Sequence, residues 1–172
     1  MVSPGLVRPM TEPEHAPDEP TSAEPEADSG RSQPPDGWWL DFASALPART
    51  AKLAVVAASG APLVAPVWVA FDGEQILFNT GETTAKGRAV LRDPRVALCF
   101  DDERPPFSFV LVHGTAEVVE DLEEVARWAA TIGGRYMGED RAAEYGARNG
   151  VPGELLVRVT ATKVIAARDI AD

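Results

Sequence analysis

Between Ile76 and Asp102 the chain reads ILFNTGETTAKGRAVLRDPRVALCFDD, two apolar runs of strand character flanking a Gly/Thr turn and a short basic segment. Ile76, Leu77 and Phe78 are β-prone, and Asn79, Thr80 and Gly81 turn the chain out of a strand. Thr83 or Thr84 is placed to cap a helix over roughly 84–91, which Pro94 closes. A helix start leaves backbone N–H groups unpaired and carries a partial positive charge, so it suits a phosphate or carboxylate. Lys86 adds a full charge there. From Thr84 to Arg95 there are four cations (Lys86, Arg88, Arg92, Arg95) and one anion (Asp93), a local +3 in a chain of net charge -11. Lys86 and Arg88 stand about 200° apart around a helix, so both cannot face one ligand squarely. Lys86, in the first turn, is the expected anion ligand, with Arg88 partnering Thr84 or reaching around the edge. An anion about 4 Å away would gain on the order of 4 kcal/mol at an effective dielectric near 20, before desolvation. A solvated basic helix face is the plainer alternative.

The first 37 residues are of another kind. They hold eight of the fifteen prolines, no aromatic residue, and eight acids against Arg8 and Arg31. Such a segment buries too little apolar surface to offset its ordering entropy, so residues 1–37 are expected to be a disordered acidic tail and 38–172 one folded domain. The start, MVSPGLVRPM, lacks the apolar core of a signal peptide, and no run approaches a membrane span. A soluble, cytoplasmic protein is expected, with no membrane partner. Overall acidity argues against nucleic acid. The single Cys99 excludes an intrachain disulfide and a cysteine-based zinc site, and within Val96–Phe100 it is expected to pack in the core.

The folded part reads as short strands joined by turns. Trp38, Trp39, Leu40 and Phe42 open it with a turn of helix, capped by Asp41, that ends before Pro47. Strands are expected over 52–58 and 61–71, joined at Ser59-Gly60, and Asp72-Gly73 makes a tight hairpin turn into Leu77. Pro66 lacks a ladder donor and marks an edge or bulge that opens the Val67 and Trp68 amides to a partner. Trp68 either lines a flat ligand or fills the core. Strands follow over 95–100 and 107–119. The second carries Phe107, Phe109, Leu111 and His113 on one face and Val110, Val112 and Gly114 on the other. The acids between these strands, Asp101 to Glu103, read as a solvated turn, and His113 as a hydrogen-bonded structural histidine.

Asp121 and Glu124 form a capping box. The helix they start puts Leu122, Val125, Trp128, Ala129 and Ile132 on one face and ends near Gly133-Gly134. A second short helix spans 140–148, stopped by Asn149 and Gly150, and two strands, 154–160 and 163–168, close the sheet. No nucleophile motif, dinucleotide fingerprint or metal-ligand set appears. No catalytic residue and no metal site is assigned, and any chemistry should belong to a bound cofactor.

The segments APVWVAFDGEQILFNTG (65–81), TAKGRAVLRDPRVALCFDDERPPFSFV (84–110) and GTAEV (114–118) resemble the pyridoxamine 5′-phosphate oxidase-like superfamily of split β-barrel flavin and deazaflavin oxidoreductases. The likeness is closest to its actinobacterial branch that uses coenzyme F420, and it spans about Arg49 to Ala167. It implies a mainly β fold with a few helices: an FMN-binding-like, antiparallel Greek-key barrel of six to seven strands. It also implies a homodimer with cofactor sites between subunits. By resemblance Lys86 and its helix hold the cofactor phosphate, with Arg88 nearby. Asn79, Thr80 and Thr84 add hydrogen bonds, the backbone of Pro66, Val67 and Trp68 borders the ring, and Phe107 closes the site from the other subunit. Two positions depart from the pattern: His113 stands where an acidic or small residue is expected, and Thr84 where some relatives place a second cation. The activity implied is hydride transfer from reduced F420 to a conjugated small-molecule substrate. The alternatives are FMN in the same cradle, or a non-catalytic flavin- or deazaflavin-binding dimer.

Overall fold

The computed structural model describes residues 34–171. Most of the acidic tail assigned to 1–37 therefore lies outside the described residues. The elements are α1 (Trp38–Ser44), β1 (Ala51–Val56), β2 (Pro62–Val67), β3 (Ala70–Asp72), β4 (Gln75–Gly81), α2 (Ala85–Arg92), β5 (Arg95–Asp102), β6 (Ser108–Val119), α3 (Leu122–Met137), α4 (Ala142–Asn149) and β7 (Glu154–Ala167), with a 3-10 turn over Glu139–Arg141 between the last two helices.

The seven strands form one antiparallel sheet in the order β2-β1-β5-β6-β7-β4-β3. Its outermost strands, β2 and β3, are consecutive in the chain and joined by Trp68 and Val69 alone, which curls the sheet into a split barrel. Alternation sends Leu53, Val67, Phe78, Leu98, Phe100, Val110, Val112 and Val157 inward, all buried. Ala89 and Val90 of α2 join them, with Phe42 and Phe71 packed against the cluster. A smaller cluster of Leu77, Leu156 and Val125 lies where α3 covers the other face of β4 and β7. Those two strands are thus buried on both sides, which accounts for the unbroken apolar runs Ile76–Phe78 and Leu155–Val157.

Several local expectations hold. The Ser59-Gly60 turn joins β1 to β2, and Gly73, at φ 60°, opens the two-residue turn between Asp72 and Gln75. Pro66 lies on an edge strand, where its missing N–H leaves no gap in a ladder. Thr84 caps α2, its Oγ1 accepting the Gly87 amide at 3.0 Å, and Asp121 caps α3 through the Glu124 amide at 2.9 Å. The reciprocal half of that capping box is absent among the described residues, because the Glu124 carboxylate pairs with Arg158 and Arg127 instead.

Other expectations need correction. The run expected as one strand over 61–71 breaks after Val67. Trp68 turns against Tyr136 and Tyr145, and the Val69 amide donates to the Tyr136 hydroxyl at 3.2 Å. Helix α3 does not stop at Gly133-Gly134 but runs to Met137 and ends at Gly138, φ 104°. The two glycines are buried, and a Cβ on either would meet Tyr145 or Glu139, so they mark close packing rather than termination. The last two strands are one, β7, and the expected gap between 160 and 163 is a bulge in it: Thr162 is left unpaired in the ladder where the register shifts opposite His113/Gly114. Gly37, not Asp41, precedes α1. Cys99 faces outward and is half-buried, because Val96, Leu98 and Phe100 take the inner positions of β5. His113 is exposed on the outer face. Asp101 and Asp102 continue β5 and pair with Lys52 and with Arg49 and Arg104.

Candidate functional site

A groove of about 240 Å³ opens where the split edge of the barrel meets the α3–α4 hairpin. One wall comes from Pro66, Val67 and Trp68, the end of β2 and the link to β3. Asn79 of β4 and Lys86 of α2 stand beside it, and Ala129, Ile132 and Gly133 of α3 with Tyr145 and Asn149 of α4 complete it.

Lys86 is brought here by the turn at Gly81–Thr84. Thr84 Oγ1 accepts from the Gly87 amide, donates to the Gly81 carbonyl at 2.8 Å, and lies 2.9 Å from Thr80 Oγ1. A Cβ on Gly87 would collide with the Gly81 backbone, so the turn and the first helical turn can meet this closely only at glycine. The result is a fixed helix start whose Ala85 and Lys86 amides have no partner among the described residues.

Of the four cations of this segment, three are engaged. Arg88 donates to the Thr83 carbonyl, Arg92 to the Val56 carbonyl, and Arg95 pairs with Asp93 at 2.6 Å. Lys86, half-buried on the groove wall, has no ion-pair partner among the described residues. Asn79 is also incompletely satisfied. Its Nδ2 donates to the Leu155 carbonyl at a long 3.4 Å, and its Oδ1 is buried without a partner among the described residues. A buried, unpaired amide oxygen costs about 1–3 kcal/mol, so Asn79 is a polar residue of this wall left with an acceptor to satisfy.

The aromatic wall is built around Trp68. Its ring stacks on Tyr136, centroids 4.9 Å apart, and meets Tyr145 at 5.6 Å and 56°. The Tyr136 hydroxyl donates to the Arg49 carbonyl at 2.6 Å while accepting from Val69, and burial raises its pKa above the ordinary value. Trp68 is thus held by both helices of the hairpin, one face of its indole covered by Tyr136.

Five of the nine cofactor-binding candidates from the sequence, Pro66, Val67, Trp68, Asn79 and Lys86, come together on this groove. Thr80 and Thr84 lie directly behind it with their hydroxyls engaged in the cap. Arg88 is exposed and turned to its own turn. Phe107 stands apart, 40% exposed at φ 59°, in a loop tied to the C-terminal segment through its carbonyl and the Ile170 amide. The α3–α4 wall was not anticipated from the sequence. Ala129 and Ile132 read there as ordinary apolar-face positions, and Asn149 as a helix stop, although Tyr145 and Asn149 at i, i+4 share one helix face.

Among the described residues there is no group of three metal-binding side chains, and no helix is long and apolar enough to cross a membrane. The donors present, an ammonium and helix-start amides without partners among the described residues, fit a phosphate-bearing group, while the unsatisfied Asn79 Oδ1 is an acceptor.

Comparison with known proteins agrees with this geometry. A curated pyridoxine/pyridoxamine 5′-phosphate oxidase of Alkalilimnicola ehrlichii is 34% identical over 113 residues, 56% of this chain and 57% of the relative, so the match spans little more than half of that protein. Three solved structures share the fold. A conserved hypothetical protein of Mycobacterium tuberculosis has TM-score 0.70 at 23% identity over 81% of this chain and 88% of its own. An F420 reductase has TM-score 0.59 at 23% identity over 76% and 98%. The heme storage protein of Vibrio cholerae has TM-score 0.57 at 20% identity over 69% and 86%. A family model described as pyridoxamine 5′-phosphate oxidase matches residues 43–167, nearly the whole split barrel and both walls of the groove, and the chain belongs to that family.

Proposed function

We propose that this chain is an F420-dependent reductase that acts on a conjugated small-molecule substrate as a homodimer. The observation that carries the reading is Lys86, a half-buried cation without an ion-pair partner among the described residues, at a capped helix start on the groove wall. Together the ammonium and the helix start present one full charge and about half of another. A charge of that size accepts the phosphodiester of F420 and the phosphomonoester of FMN, about -1.5 to -2 at neutral pH, alike; F420 is preferred on the sequence likeness and on the F420 reductase among the structures that share the fold.

When bound, the reduced deazaflavin supplies the hydride, and the chain's own residues bind, orient and shield. Lys86 and the Ala85 and Lys86 amides hold the phosphate. The Pro66 to Trp68 segment borders the ring, and Asn79 offers its carboxamide to the linker. Thr80 and Thr84 act from behind by fixing the helix start. At about 240 Å³ the groove is smaller than the roughly 300–1,000 Å³ of sites for drug-sized ligands, so further walls are required. The outer face of the sheet, where Cys99, Leu111 and Ile165 form a half-buried row across β5, β6 and β7, supports a second copy as their source. Phe107 of that copy would close the site.

Titration of the purified chain with F420 and with FMN tests the reading. F420 binding, with oxidation of the reduced coenzyme by a panel of enones, is expected. Tight FMN binding without F420 affinity replaces the deazaflavin with a flavin, and binding without turnover leaves a carrier rather than an enzyme.

A further inference from the structure

Helix α2 has a second face that the groove does not use. Lys86 lines the groove and Gly87, Ala89 and Val90 are buried, which leaves Arg88, Leu91 and Arg92 together on the outer side at i, i+3 and i+4. All three are exposed, Leu91 by 48%. Val56, at the end of β1 and 44% exposed, adjoins them, because the Arg92 guanidinium donates to its carbonyl. Two apolar side chains thus lie between two guanidiniums.

The charge of this face is not cancelled. Arg88 and Arg92 donate to the backbone carbonyls of Thr83 and Val56 and have no ion-pair partner among the described residues. Most other described cations lie against a carboxylate, as Lys52 does on Asp101 and Arg158 on Asp72 and Glu124. In a chain of net charge -11, the outer side of α2 is therefore a local positive field. Each carbonyl engages only part of a guanidinium fork, so both forks are oriented in advance with donors to spare. Leu91 adds nothing to the core, which α2 meets through Ala89 and Val90. Arginine is the cation enriched at protein contacts, and an exposed leucine beside it offers apolar area to bury.

The reach of the field selects the kind of anion. At physiological salt a surface charge is felt over about 8 Å. A membrane or a nucleic acid would bring many further negative charges against the acidic surface around the patch, whereas a short acidic segment meets the local field alone. We infer that the outer face of α2 docks an acidic segment of a partner protein, its carboxylates on Arg88 and Arg92 and an apolar side chain on Leu91 and Val56. The surface is separate from the groove and independent of the cofactor reading.

The test is an NMR titration of the isotopically labelled full chain with a capped peptide that has a single leucine between pairs of glutamates. Saturable shifts are expected at the amides of Val56 and of residues 88–93, with binding that weakens as salt is raised. Peptides with alanine for the leucine, or glutamines for the glutamates, should each bind about threefold to tenfold more weakly. Arg92→Gln and Leu91→Ser should each weaken the glutamate and leucine peptide by a similar factor. Leu91→Ser removes no hydrogen bond, so it carries the test if Arg92→Gln unsettles the helix. F420 and FMN titrations of Leu91→Ser should match wild type. No saturable shift on α2, equal binding of all three peptides, or binding that survives both substitutions overturns the inference. Shifts centred on Lys86 and Asn79 assign the peptide to the groove and overturn it as well. So does a fall in sedimentation mass in either variant, which makes the face an interface between copies. Sedimentation of wild type with vesicles of equal phosphatidylglycerol and phosphatidylcholine makes it a membrane surface and overturns it too.

Discussion

Trp68 lies flat on Tyr136, ring centroids 4.9 Å apart and planes 3° from parallel, at the point where the barrel's edge strand ends. The same tyrosine bridges the Val69 amide and the Arg49 carbonyl, so one side chain fixes the break between β2 and β3, the approach to β1 and the end of α3. Tyr136→Phe keeps the stack and removes the bridge, leaving two partly buried backbone groups unpaired. A loss of about 1–3 kcal/mol in urea denaturation is expected, with the fold retained.

Tyr136 also gives alkaline unfolding a defined component. Burial raises its phenol above the ordinary 10.0, so the native state holds the proton more tightly than the unfolded chain. The resulting stability is complete below the unfolded pKa and is lost as pH rises through the folded one. The urea midpoint should fall above about pH 10, and fall less steeply in Tyr136→Phe.

At the acid end Asp93 behaves in the opposite sense. The side-chain and backbone hydrogen bonds from Arg95 hold its carboxyl at about 2, against an ordinary 3.8. That contribution is present above the unfolded value and lost as pH falls through the folded one. Between these two values Asp93→Asn should show a shallower decline of the urea midpoint than wild type. Because the pair is exposed, the difference should shrink in high salt.

Lys86→Ala should separate binding from stability. With no ion-pair partner among the described residues to abandon, the variant should change unfolding free energy by no more than about 0.5 kcal/mol. Cofactor affinity should fall about tenfold or more, an effect read as the shift in dissociation constant at low ionic strength. Unchanged affinity would remove the cradle from the mechanism.

Gly133→Ala places a methyl group 2.6 Å from Tyr145 Cγ, where helix backbone lies on one side and a ring on the other. Neither yields cheaply, so a cost of about 1–3 kcal/mol in thermal or urea denaturation is expected. The same displacement of Tyr145 should weaken ligand binding in the groove, unlike a surface substitution such as Ala147→Ser.

The sequence showed the sheet more fully than the groove, for physical reasons. Alternation and turn chemistry are local, so the Asp72-Gly73 hairpin, the Thr84 cap and the edge position of Pro66 were legible from a few adjacent residues. The break at Trp68 was not, because it depends on Tyr136, nearly seventy positions along the chain. Gly133 and Gly134 misled for the same reason: a glycine that ends a helix and one that admits a neighbouring ring look alike until the neighbour is known. Asn149 was visible only as punctuation at a helix end, since nothing beside it in sequence says which wall it faces.

The rims of the sheet are held together by a single step of chain, Trp68 to Val69, with no ladder of amides between them. The width of the mouth is therefore governed by a very short tether and by the tyrosine that clasps it. Lengthening that tether by a residue would leave each registered strand pair intact and widen the opening, a way of retuning what enters without disturbing what holds the protein together.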